Sequence, residues 1–107
     1  MIMQKYILKD IKNILEENKA VLLYFSANDC SVCKVLKPKI EHSLQNNFPL
    51  MKSIFIEDNM EISTNFTIFS NPMIVVFFEG KEFKRYGRNI SLSLFEEDIE
   101  RLYKMVF

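Results

Sequence analysis

The stretch Leu22 to Pro38, LLYFSANDCSVCKVLKP, constrains this chain more than any other: an apolar run passes through a short polar turn into a helix opening with two cysteines. Positions i and i+3 in a helical turn share one face, so Cys30 and Cys33 can close a small disulfide ring with little backbone movement. The unpaired N–H groups and the positive dipole end of a helix start favour an anion there. Cys30, the more N-terminal thiol and the one expected to be more exposed, therefore gains thiolate character and reads as the nucleophile, with Cys33 as its resolving partner.

These two are the only cysteines in 107 residues, which excludes a disulfide-stapled scaffold. A zinc site needs about four ligands, and the chain offers no second cysteine pair and a single His42, read as a surface helix residue. No metal and no cofactor are expected. A site shared across a dimer by two cysteine pairs would be the exception.

Fourteen basic and fourteen acidic side chains cancel, so no overall charge drives binding to nucleic acid or an anionic membrane. The N-terminal segment carries charges every few residues, and no apolar run reaches signal-peptide or membrane-spanning length. The expected location is the cytoplasm, and the expected state a monomer. At this length one domain, residues 1–107, can bury an adequate core.

The other elements follow from periodicity. Ile7, Leu8, Ile11, Ile14 and Leu15 define an amphipathic helix within Gln4 to Asn18; whether Met1 to Met3 form a strand before it is left open. Ala20 to Phe25 reads as a strand buried on both faces. Asn28 or Asp29 is a candidate cap for a helix from Cys30 to Asn46, inside which Pro38 removes an N–H and favours a kink. Leu50 to Ile56 reads as a second internal strand and Met60 to Phe69 as a short irregular helix. Met73 to Phe78 and Lys81 to Tyr86 form a hairpin turned at Glu79-Gly80, the latter strand at an edge. Ser93-Leu94-Phe95-Glu96 has the pattern of a capping box before a final helix.

The cysteine pair at a strand-to-helix corner, Lys34, Pro38, Pro72 opening a strand of a terminal hairpin, Gly80 and Gly87, in this order and spacing, together resemble the thioredoxin family across the whole chain. The resemblance implies an α/β thioredoxin fold, a central mixed sheet of four or five strands with helices on both faces. It also implies a cis Asn71–Pro72 bond lying against the disulfide, with Asn71 backbone groups available to an extended substrate beside Cys30. Asp29 and Val32 are the other expected substrate contacts. The implied activity is thiol–disulfide exchange, as a reductant of protein disulfides recycled by a thioredoxin reductase or a small thiol. A binding or adaptor module on the same fold is the alternative.

Two departures bear on the chemistry. Where the family usually has Trp-Cys-Gly-Pro-Cys, this chain has Asp29-Cys30-Ser31-Val32-Cys33. A carboxylate about 6 Å from Cys30 in a water-like dielectric opposes the thiolate by roughly one pKa unit at most, offsetting the helix terminus. Cys30 is thus expected to be only mildly acidified, as suits a reductant. Six residues before Cys30 the family places a buried Asp; here Tyr24 stands, a poor base at neutral pH. Glu57 is the nearest substitute along the sequence, set against its plainer reading as an exposed strand-end carboxylate. Lys34 reads either as a charge beside the thiolate or as a solvated helix residue. Lys81, Lys84, Arg85 and Arg88 read as a basic, solvated edge that resists strand pairing rather than as an anion site.

Overall fold

The computed structural model describes residues 6–107; the open question of a strand at Met1 to Met3 lies outside them. The elements run α1 (Leu8–Glu17), β1 (Ala20–Ser26), α2 (Ser31–Asn47), β2 (Lys52–Glu57), α3 (Met60–Asn65), β3 (Met73–Phe78), β4 (Lys81–Tyr86) and α4 (Leu92–Val106). The four strands form one sheet in the order β2-β1-β3-β4. β1 pairs parallel with β2 and antiparallel with β3, and β4 is antiparallel to β3, so the sheet is mixed.

Because side chains alternate along a strand, the continuous apolar runs of β1 and β3 supply two cores. Leu22, Tyr24, Ile74 and Val76 face α2 and α4, where Ile40, Leu44, Phe95 and Ile99 meet them. Val21, Leu23, Phe25, Val75 and Phe77 point the other way, toward Ile11 and Leu15 of α1 and Ile62 of α3. Each fully buried aliphatic or aromatic side chain contributes about 1.5–3 kcal/mol, so this two-sided burial is what holds the central strands in register.

Several expectations are corrected. β2 starts at Lys52 rather than Leu50, and it is an outer rather than an internal strand among the described residues. The cap of α2 is Cys30 itself, not Asn28 or Asp29: the Cys30 sulfur accepts from the Cys33 N–H. The cap of α4 is Ser91, two residues before the capping-box serine, because Glu96 is drawn off toward α2. The hairpin turn has positive φ at both Glu79 (52°) and Gly80 (78°), the twist that a two-residue connection between antiparallel strands demands. Gly87 also lies in a turn, closed by Ile90 N–H to Gly87 O, but its backbone is outside the left-handed region.

Candidate functional site

The site forms at the end of the sheet where β1 gives way to α2. The connecting turn is closed by Cys30 N–H to the Ala27 carbonyl at 3.1 Å. It is also held from the next strand, since the Asp58 carboxylate accepts from the Asn28 N–H at 3.0 Å. Asp58 is a positioning residue that the sequence did not single out, since nothing in its local pattern points to a partner 30 residues away. Its own backbone is anchored by Asp58 N–H to Ser26 O.

Cys30 and Cys33 are disulfide-bonded, with Cα atoms 5.3 Å apart. Cys30 is half-buried and Cys33 is 3% exposed. The Cys33 N–H lies 3.2 Å from the Cys30 sulfur, so a backbone donor already faces the atom that carries negative charge once the bond is reduced.

Tyr24 is fully buried on β1, and its hydroxyl donates to the Cys33 carbonyl at 2.8 Å. Burial pushes the phenol up to about 12. At neutral pH it is therefore a fixed donor that ties the first turn of α2 to the sheet, and no base. The room around Cys33 opens instead into a pocket of about 170 Å³ lined by Ser26, Lys34, Lys37, Phe55 and Glu57. Glu57 is exposed at the end of β2, and it shares this pocket with Cys33. Lys37 stacks over the Phe55 ring, 4.9 Å from its centroid.

The Asn71–Pro72 peptide bond is cis. Met73 pairs with Phe25, so the antiparallel register brings Pro72, one residue earlier, to the end of the sheet from which Cys30 departs. The loop before it is braced by Arg85, whose guanidinium donates to the carbonyls of Phe66 (2.6 Å) and Thr67 (3.1 Å). Asn71 is half-buried, whereas Asp29 and Val32 are exposed beside the cysteines.

The expected basic edge is not one cluster. Lys84 pairs with Asp98 at 2.8 Å and Arg85 with Glu82 at 2.6 Å, whereas Arg88 turns toward α2. Pro72 is buried, and the apolar companions of Val32 are Val35, Leu36, Ile90 and Leu92. Among the described residues no group of three or more His, Cys, Asp or Glu side chains could hold a metal, and no helix is long and apolar enough to cross a membrane.

A family model described as Thioredoxin matches residues 6–101. The thioredoxin-like protein YdfQ of Bacillus subtilis is 29% identical over 100 residues, which cover 92% of this chain and 88% of that protein. A thioredoxin of Mycoplasmoides gallisepticum is 32% identical over 74 residues, 67% of this chain and 73% of the relative. The crystal structure of thioredoxin from Trypanosoma brucei brucei matches with a TM-score of 0.80 over 97% of this chain and 92% of its own, at 20% identity, a likeness of fold.

Proposed function

The chain belongs to the thioredoxin family, and on that premise we propose that it is a reductant of protein disulfides working through a Cys30/Cys33 dithiol–disulfide cycle. Thiol–disulfide oxidoreduction in general follows from the family and the paired cysteines. The observation that carries the finer reading is the asymmetry of the pair: a half-buried Cys30 at the helix cap, with a backbone N–H aimed at its sulfur, and a buried Cys33 behind it.

In the forward direction the Cys30 thiolate attacks one sulfur of a partner disulfide. The partner's S–S bond breaks, a mixed disulfide forms, and the other partner sulfur leaves as a thiolate that takes up a proton. Cys33 then loses its proton and attacks the Cys30 sulfur, releasing the second partner thiol. Two electrons and two protons pass to the partner, and the Cys30–Cys33 bond is restored. The backbone of Asn71, the apolar surface of Val32 and the carboxylate of Asp29 are the contacts we assign to the substrate, with Pro72 beneath them. A thioredoxin reductase or a small thiol would return the pair to the dithiol, and we place the monomeric protein in the cytoplasm.

Trapping tests the roles. Cys33→Ser should accumulate partner proteins in mixed disulfides with Cys30; equal trapping by Cys30→Ser would reverse the assignment. The direction of electron flow is read from the reduction potential, by equilibration with thiol–disulfide buffers. A value near or below roughly −230 mV fits a reductant, and one near roughly −120 mV an oxidant. The adaptor reading draws on Tyr24, which offers Cys33 no base. It predicts insulin reduction no faster than dithiothreitol alone, with partner binding intact when both cysteines are serine.

A further inference from the structure

A groove of about 380 Å³ opens at Val32, between the two cysteines, and follows α2 past Val35 to Lys39; Arg88, Ile90 and Leu92 of the β4–α4 connection complete its lining. Val32 and Val35 are 37% and 60% exposed. Single exposed valines need no explanation, but here they are continuous with Ile90 and Leu92 in one concave surface that starts at Ser31 and Val32, the two residues between the cysteines.

The charge of this surface is one-sided. Lys39 and Arg88 line it and no carboxylate does, although acidic and basic residues balance in the chain as a whole. Neither cation has an ion-pair partner among the described residues, in contrast to Lys84 and Arg85. A guanidinium left unpaired beside apolar side chains is suited to a carboxylate it can bind through two parallel hydrogen bonds.

We propose that the groove takes an extended segment of the partner protein that presents an apolar side chain and a carboxylate next to its disulfide, so that Lys39 and Arg88 select acidic partners. This rests on the dithiol–disulfide function proposed above. The valines, Ile90 and Leu92 bury the apolar side chain and hold the segment in line with Cys30. The two cations add charge complementarity, which acts mainly on encounter and specificity.

The test uses the reduced full chain and disulfide-cyclised peptides carrying Leu-Glu or Leu-Lys beside one cysteine. A carboxylate about 6 Å from one cation in a water-like dielectric gains about threefold, and from two cations about tenfold, at low salt. Because a lysine is repelled by as much as a carboxylate is attracted, the Leu-Glu peptide should be reduced about ten- to a hundredfold faster than the Leu-Lys peptide at low salt, and the ratio should shrink at ionic strengths of about 0.5 M, where the Debye length falls below about 6 Å. The double reversal Lys39→Glu/Arg88→Glu should invert it. A ratio near one, or a ratio that the double variant leaves alone, overturns the proposal. Replacing Leu by Ala in the acidic peptide should slow its reduction. If it does not, and oxidised glutathione is reduced as fast, the occupant is a small acidic disulfide and the peptide assignment fails. Reduction of hydroxyethyl disulfide by the unaltered protein separates the two levels. Its absence removes the redox function and this proposal together, whereas its presence without a charge preference removes this proposal alone.

Discussion

The Tyr24 hydroxyl donates to the main-chain carbonyl of Cys33 across 2.8 Å, so the residue standing where the family keeps an acid serves as a brace for the redox helix. The hydrogen bond fixes the corner, and the phenol, pushed up to about 12 by burial, offers the resolving cysteine no base at neutral pH.

Tyr24→Phe keeps the ring packing and loses this bond, which should cost about 0.5–1.5 kcal/mol in urea unfolding. Between pH 6 and 9 it should leave the pH dependence of disulfide reduction unchanged, because a phenol pushed up to about 12 does not titrate there. At high pH the sign is fixed by the raised pKa. The protonated phenol's contribution is fully present below its unfolded value near 10 and is lost as pH climbs toward about 12. The wild-type protein should thus lose more stability over that window than Tyr24→Phe, as thermal melts at stepped pH would register. A reduction profile that moves in the variant between pH 6 and 9 would make the phenol a participant.

Tyr24 is no base at neutral pH, and Glu57 is the carboxylate that lines the same pocket as Cys33, which makes it the side chain to test as acceptor of the Cys33 proton. Glu57→Gln should slow resolution of a mixed disulfide between Cys30 and thionitrobenzoate by about tenfold at neutral pH, below the usual range for a well-positioned base because Glu57 is exposed. Stopped-flow release of thionitrobenzoate from wild type and variant measures it. Equal rates would leave Glu57 as a strand-end carboxylate.

α2 and α4 are joined by a polar contact inside an otherwise apolar interface. The buried Ser43 hydroxyl donates to Glu96 at 2.6 Å, and Asn47 donates to the same oxygen at 3.1 Å. Ser43→Ala and Glu96→Ala should each cost about 1 kcal/mol, and the double variant less than their sum, by about 0.5 kcal/mol or more. Strict additivity in a urea cycle would mean that the contact contributes nothing to stability.

On the hairpin side, the Lys84 ammonium, and with it the Tyr86 hydroxyl, holds the Asp98 carboxyl below its ordinary value. A lowered folded pKa means stability that is present above about pH 4 and is lost as pH falls through the lowered value. Asp98→Asn should therefore flatten the acid limb of the stability profile below about pH 4, measured as the urea midpoint at each pH. An unchanged acid limb would assign that loss to other carboxylates.

Local signals made most of the architecture legible in the sequence. The apolar runs at Ala20–Phe25 and Met73–Phe78 are buried on both faces as strands between helix layers must be, and Glu79-Gly80 turns the hairpin. Caps were less legible, because whether a side chain caps or reaches elsewhere depends on neighbours distant in sequence. Ser93-Leu94-Phe95-Glu96 has the right spacing for a capping box, yet Glu96 is claimed by Ser43, 53 residues away, and Ser91 caps instead.

The sequence alone determined the two-cysteine corner, the order of elements and the absence of an acid at Tyr24, since each is written in residue type and spacing over a few positions. Only the tertiary structure decided what that corner contains. Asp58 grips its turn from the neighbouring strand, and Tyr24 binds the Cys33 carbonyl. Arg88 leaves the other hairpin cations to line a groove with Lys39. These are pairings between segments remote in the chain, set by strand register and helix packing, and no local pattern encodes them.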